Sequence, residues 1–211
     1  MGLFPNITLA ILTEDAELSK SVSGNEFFVG QGKSHAERIA EGLGHLFGET
    51  IVITNFTDEQ KKHHFPTFNV IHRKNGLISK IHAALTYAKG NAVFIVSCDR
   101  PTISVSIASK LATVFSIKNV EIAVPVLNEK AEPQFAIYSA SCLPLLSEML
   151  RSSKQFSIND LLERVNVHHL IIHESEEAKK CFTIINAPFD IDKLKEKKST
   201  DKTEQTGEWF A

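Results

Sequence analysis

"VFIVSCDRP", residues 93 to 101, is a strongly apolar run that stops at a carboxylate and then at a proline. Val93 to Val96 have the composition of a strand, and Pro101 turns the chain towards the segment that follows. In doubly wound sheets ligands sit beyond the carboxyl ends of the strands, so Asp99 stands where a ligand would meet the protein. A hard Mg²⁺ ion, held by one or two carboxylates and by substrate phosphates, suits such a place. The competing reading is a side chain that only caps a helix starting near Thr102.

On either side, apolar runs alternate with helical patterns, the arrangement of βαβ units and a largely parallel sheet. The spacing predicts strands over Ile7–Leu12, Ile51–Thr54, Phe68–His72, Ala92–Ser97 and Glu121–Val126. Helices are predicted near Ser34–Leu46, Leu77–Ala88 and Ile103–Phe115, with Ile78, Ile81, Ala84 and Leu85 showing the helical repeat. After Leu127 the rhythm changes. Asn128–Pro133 (NEKAEP) reads as a turn, and Gln134–Tyr138 as a strand returning from it. Leu143–Leu150 and Ile158–Val165 look helical, while His168–His173 and Cys181–Asn186 look like short strands. Pro188 suits the start of a last helix, where its missing N–H costs little. The expected architecture is α/β: a three-layer, mostly parallel, Rossmann-like sheet forming one domain over residues 1–194. A charged tail over residues 195–211 is expected to be flexible.

Composition narrows the function. A net charge of −2 gives no electrostatic case for nucleic acid or an anionic membrane. No window approaches the ~20 apolar residues of a membrane span. No basic, apolar leader opens the chain, so a cytoplasmic protein is expected. Cys98, Cys142 and Cys181 lie far apart without a C-x-x-C pair, which argues against a disulfide framework or a zinc ribbon. The histidines form no ligand-spaced set; His63-His64 and His168-His169 are adjacent pairs, whose side chains point apart on a strand. Residues 27 to 34, FFVGQGKS, end like a G-x-x-x-x-G-K-[ST] phosphate loop, but Phe27 takes the place of the first glycine.

Several stretches act together: "IVITN" (51–55), "GLISKIHAAL" (76–85), "CDRP" (98–101), "PQFAIYSASCLPLLSEML" (133–150) and "FTIINAPFDI" (182–191). In order and spacing the chain resembles the molybdenum cofactor guanylyltransferase (MobA) family, whose fold is nucleotide-diphospho-sugar transferase-like. The resemblance runs from Ile7 to Leu194. It implies that Asp99 takes the place of the family's magnesium and nucleotide-phosphate aspartate, and Asn55 that of its nucleotide-contacting asparagine. Gly76 falls on the first glycine of a G-P-L loop near the base, and Asn186 on the second asparagine of N-x-N-T-P. GTP and the molybdopterin cofactor are the implied substrates, with Mg²⁺ as cofactor and a molybdoenzyme-maturation protein as a candidate partner. The implied chemistry is attack by the pterin's terminal phosphate on the α-phosphate of GTP, with pyrophosphate leaving.

One stretch departs from the family pattern. In "ILTEDAELSKSVSGN" (11–25), aligned without gaps, the family's A-G-G falls on Thr13, Glu14 and Asp15. Its R-M-G falls on Ser19, Lys20 and Ser21, and its later lysine on Asn25. Lys20, one position from the arginine, offers a point charge without the bidentate fork. Arg73 stands where an acidic residue precedes the G-P-L loop, Lys80 replaces the loop's second glycine, and Ile184 the first asparagine. A phosphate-cradling turn needs residues that tolerate φ > 0 and a close backbone approach. A carboxylate ~4 Å from phosphate adds repulsion of about 1 kcal/mol in water and about 4 at an effective dielectric of roughly 20. Glu14 or Asp15 joining Asp99 on a metal is one role for the turn; solvated loop carboxylates are the other. Two readings of the whole stand: a guanylyltransferase-like enzyme using Asp99 and magnesium, and a non-catalytic relative acting as a binding or partner protein in cofactor maturation.

Overall fold

In a computed structural model that describes residues 2–13, 35–55, 65–70, 76–100 and 102–182, strand and helix alternate as the sequence period demands. The first half contains β1 (Phe4–Leu12), α1 (His35–Leu43), β2 (Phe47–Thr54), β3 (Thr67–Asn69), α2 (Gly76–Tyr87) and β4 (Ala92–Ser97). Then follow α3 (Val105–Ile117), β5 (Ile122–Leu127), β6 (Lys130–Ala131), β7 (Phe135–Ser139), α4 (Leu143–Arg151), α5 (Ile158–Leu162), β8 (Val167–Ile171) and α6 (Glu176–Phe182). Among the described residues these strands form one eight-stranded sheet in the order β3-β2-β1-β4-β7-β5, with β6 and β8 both paired to β5. β7 runs against β4 and β5, and β6 against β5; the remaining pairings are parallel.

The central strands are buried on both faces, which is why they read as continuous apolar runs. Along β1, Ile7, Leu9 and Ile11 pack with α1, α3 and α6, whereas Ala10 and Leu12 pack with α2, α4 and α5. β4 divides in the same way: Phe94 and Val96 face the first helical layer, Val93 and Ile95 the second. The result is the expected α/β/α sandwich. No helix among the described residues is long and apolar enough to cross a membrane.

Local chemistry sets the element ends. Ser104 caps α3, its Oγ accepting from the Ile107 N–H at 3.0 Å, and Ser157 with Asp160 forms a capping box on α5. The turn expected after Leu127 is a two-residue hairpin connection. Asn128 (φ 50°) and Glu129 (φ 64°) both take the left-handed conformation that matches the twist of the flanking strands.

The structure corrects several boundaries. Cys181 and Phe182, expected to begin a strand, close α6 instead. Ser175 Oγ accepts from the Ala178 N–H, Glu176 and Glu177 occupy the first turn and Lys179 and Lys180 the last, in line with the helix dipole. The buried Ala178, Cys181 and Phe182 then form its apolar stripe. The strand expected over Phe68–His72 is Thr67–Asn69, and the helix expected over Ile158–Val165 ends at Leu162. Residues 183–211, with the last helix and the tail, lie outside the described residues.

Phe94 sits at the centre of the first layer, with no exposed surface and ring centroids 5.0 Å from both Phe47 and Phe135. Replacing Phe94 by alanine is expected to cost about 3–5 kcal/mol in urea denaturation, and by leucine clearly less. A loss below about 1 kcal/mol for the alanine variant would contradict this packing.

Candidate functional site

The chain leaves β1 for β2 and β3 on one side and then crosses to β4 on the other, so the strand order reverses between β1 and β4. At such a switch point the connections diverge, and a crevice opens beyond the carboxyl ends of the two strands. Thr13 emerges there from β1, and Cys98 and Asp99 from β4. The two ends are tied by the Cys98 N–H donating to the Leu12 carbonyl at 2.9 Å. Thr13 directs both its donors to β2: its N–H and its Oγ1 bond the Ile53 carbonyl at 3.0 and 3.3 Å. Its own carbonyl accepts from Lys80 Nζ at 3.2 Å, which brings an ammonium group from α2 to the end of β1. On the other side, His35 Nδ1, at the start of α1, lies 2.5 Å from the Cys98 carbonyl. Because a carbonyl only accepts, His35 carries the proton on Nδ1 in that bond.

Asp99 has a feature that a simple helix cap would lack. Its Oδ1 is buried and has no hydrogen-bond partner among the described residues. The N-cap of α3 is Ser104, so the capping role is already filled. An unpartnered carboxylate oxygen is costly to bury, and a cation removes that cost. Ser97 Oγ, Ser79 Oγ, Asn69 Oδ1 and Arg100 Nε are also buried without a partner among the described residues. They belong to the ends of β4 and β3, the first turn of α2 and the turn after β4. Those of Asp99, Ser97, Ser79 and Asn69 thus lie on the carboxyl side of the sheet, where a ligand would complete their bonding, whereas Arg100 is enclosed by the core.

Of the residues singled out from sequence, Asp99, Asn55 and Gly76 lie on this same side of the sheet: after β4, after β2 and at the start of α2. Gly76 has φ +48°, and nothing described lies within 4 Å of where a Cβ would stand. A side chain there would be strained by the backbone rather than by a clash. Lys20 and Asn186 lie outside the described residues, as do Glu14, Asp15, the FFVGQGKS stretch and His63-His64. Among the described residues no group of three or more His, Cys, Asp or Glu side chains could hold a metal. A carboxylate oxygen without a described partner suits magnesium, which takes one or two carboxylates and keeps waters and substrate oxygens as ligands, better than zinc, which needs three or four protein ligands.

Sequence reasoning did not find Arg100 as a structural centre. Its side chain is fully buried; Nη2 donates to Glu132 Oε2 at 2.9 Å and Nη1 to the Cys181 carbonyl at 3.1 Å. The guanidinium lies over the rings of Phe135 and Phe182. Glu132 lies in the β6–β7 connection, so local spacing carries no signal of the pair. The contacts of Lys80 and His35 were likewise invisible, because each meets a backbone carbonyl of a distant strand end.

Removing one member of a buried ion pair strands the other. Glu132→Leu is therefore expected to lower stability by about 3–5 kcal/mol in urea titration, and an unchanged midpoint would contradict the pairing. Burial also pushes the Cys181 thiol up to about 11, against the lowering effect of a Ser104 backbone hydrogen bond and of Arg100. Cys142 is pushed up to about 12 by burial, with Glu121 adding to it. Both stay protonated at neutral pH, while the unfolded chain loses these protons first as pH rises. Stability contributed by the neutral thiols should be present below pH ~9 and be lost towards pH ~11–12. A thiol-reactive dye at pH 8 should label Cys142 and Cys181 only on unfolding; rapid labelling of either in the folded protein would contradict their burial.

A family model described as "MobA-like NTP transferase domain" matches residues 27–169. A protein of Clostridium perfringens (strain 13 / Type A) called "Probable molybdenum cofactor guanylyltransferase" is 32% identical over 114 residues, 54% of this chain and 56% of that protein. The matched stretch thus spans little more than half of that relative's length. A protein of the same description from Natranaerobius thermophilus is 25% identical over 181 residues, covering 82% of this chain and 87% of its own. Among solved structures, the molybdopterin-guanine dinucleotide biosynthesis protein A of Archaeoglobus fulgidus superposes with a TM-score of 0.73. It is 20% identical and covers 92% of this chain and 99% of that one, a likeness of fold.

Proposed function

This chain belongs to the MobA-like NTP transferase domain family, and we propose that it acts on a nucleoside triphosphate and the molybdopterin cofactor, transferring GMP from GTP with magnesium at Asp99. The observation that carries this reading is the buried Oδ1 of Asp99 beyond the carboxyl end of β4, which has no partner among the described residues. The fold is that of nucleotide-diphospho-sugar transferases, and relatives named as molybdenum cofactor guanylyltransferases support the substrate pair.

In this reading Asp99 would hold the ion. When bound, the ion would supply charge neutralisation to the phosphates. Asn55 and Gly76, on the carboxyl side of the sheet, would contact the nucleotide, and Asn186 and Lys20 are assigned nucleotide contacts by the family resemblance alone. Lys80 brings an ammonium group to the end of β1 through its bond to the Thr13 carbonyl. Catalysis would then come from orientation and charge neutralisation rather than from proton transfer by a side chain. Three free cysteines suit the reducing cytoplasm, where we place the reaction.

A second reading is favoured by one observation. Thr13, at the place of the family's first turn residue, commits its N–H and hydroxyl to Ile53, and carboxylates follow it in sequence. A relative that has lost the phosphate turn would serve cofactor maturation by binding rather than by chemistry.

Isothermal titration with GTP and Mg²⁺ separates the two readings. The enzyme reading expects micromolar binding that Asp99→Ala weakens by at least about tenfold. A folded protein that binds no nucleotide would sink it and leave the binding role.

A further inference from the structure

Arg100 is buried at a position where packing alone does not call for a charge. A buried ion pair is seldom more stable than apolar side chains of the same volume. What a guanidinium adds is a rigid, planar fork that fixes the direction of several partners at once. Here the fork joins three segments. Its own turn begins where the Arg100 N–H donates to the Ser97 carbonyl at 3.4 Å. The β6–β7 connection is held through Glu132, whose N–H donates to the Pro125 carbonyl at 3.0 Å. The last turn of α6 is held through the Cys181 carbonyl, and α6 is tied again to the start of α3 by Ser104 donating to Glu177 at 2.5 Å.

Two of these segments lead directly to candidate site residues. Asp99 is the immediate neighbour of Arg100 in the turn, and Asn186 follows Cys181 in sequence after four residues. The Phe135 and Phe182 rings, 5.9 and 5.5 Å from the guanidinium carbon, close off water and leave the fork few alternative orientations.

We propose that Arg100 is a positioning residue: through Glu132 and the Cys181 carbonyl it locks the turn after β4, so that Asp99 keeps its Oδ1 aimed at a divalent cation. The inference rests on the reading of Asp99 as the metal carboxylate. It assigns to the variable position of the C-D-x-P stretch a task that neither the metal nor the nucleotide performs.

The test is titration of Mn²⁺ in the presence of GTP, followed by electron paramagnetic resonance well below the unfolding temperature. Asp99→Asn, Arg100→Lys and the paired apolar variant Arg100→Met/Glu132→Leu are compared with the unaltered protein. Lysine keeps the charge but loses the fork, so Arg100→Lys should stay folded and bind Mn²⁺ about tenfold more weakly. The paired apolar variant should recover stability relative to Glu132→Leu alone and still show the weakened binding. If both Arg100 variants bind like the unaltered protein while Asp99→Asn does not, Arg100 positions nothing and the metal reading survives. If Asp99→Asn binds normally, or the unaltered protein binds no Mn²⁺ with GTP, the metal reading falls and takes this inference with it. If the paired variant does not fold, Arg100→Lys decides alone. Failure of both to fold would make Arg100 a determinant of folding and overturn the positioning role.

Discussion

The parallel pairing of β1 with β4 is the constraint on which the rest of the molecule depends. Ile7 stands opposite Ala92 and the ladder runs in register to Leu12 opposite Ser97. Side chains alternate between two helical layers, so a slip of one residue would exchange the faces of Leu9, Ile11, Phe94 and Val96 with those of Ala10, Leu12, Val93 and Ile95. All of these are essentially unexposed, so no slipped register is tolerated. The same register sets Thr13 and Cys98 side by side and thereby fixes where Asp99 emerges. Core packing and placement of the candidate site are one requirement.

Around that point the polar groups are arranged in two tiers. Leu12, Ile53, Thr13 and Cys98 offer backbone carbonyls that are already occupied, by Cys98, Thr13, Lys80 and His35 respectively. Those bonds hold the strand ends. Asp99, Ser97, Ser79 and Asn69 keep buried polar atoms without described partners. A fold that leaves such atoms unpaired loses stability, and a ligand that pairs them returns it, so they are a physical signature of a binding rim. The cation described at the β1 end comes from α2 rather than from a glycine-rich turn.

What was legible in the sequence was the periodicity and its punctuation. The apolar run ending in CDRP identified β4 and the place of Asp99, and the change of rhythm after Leu127 identified the turn and the returning strand β7, though not β6, which falls inside the stretch read as turn. Those features are local: strand composition, a carboxylate at a strand end, turn residues. Cys181 and Phe182 were misassigned because the apolar run CFTIIN dominates its window. The cap at Ser175 and the charge order of Glu176, Glu177, Lys179 and Lys180 are the signals that place them in α6. The Arg100–Glu132 pair, the Lys80–Thr13 bond and the His35–Cys98 bond were illegible for a different reason. Each joins elements that become neighbours only when the crossovers close, and neither partner's type or spacing announces the other.

The central claim is that Asp99 is a metal carboxylate at a nucleotide crevice. A crystal soaked with Mn²⁺ and GTP, with anomalous scattering recorded at the manganese edge, tests it most directly. The account predicts an anomalous peak within direct coordination distance of Asp99 Oδ1, with GTP bound beyond the ends of β1 and β4. A manganese peak coordinated elsewhere, or GTP bound with Asp99 Oδ1 still unpartnered, would contradict it.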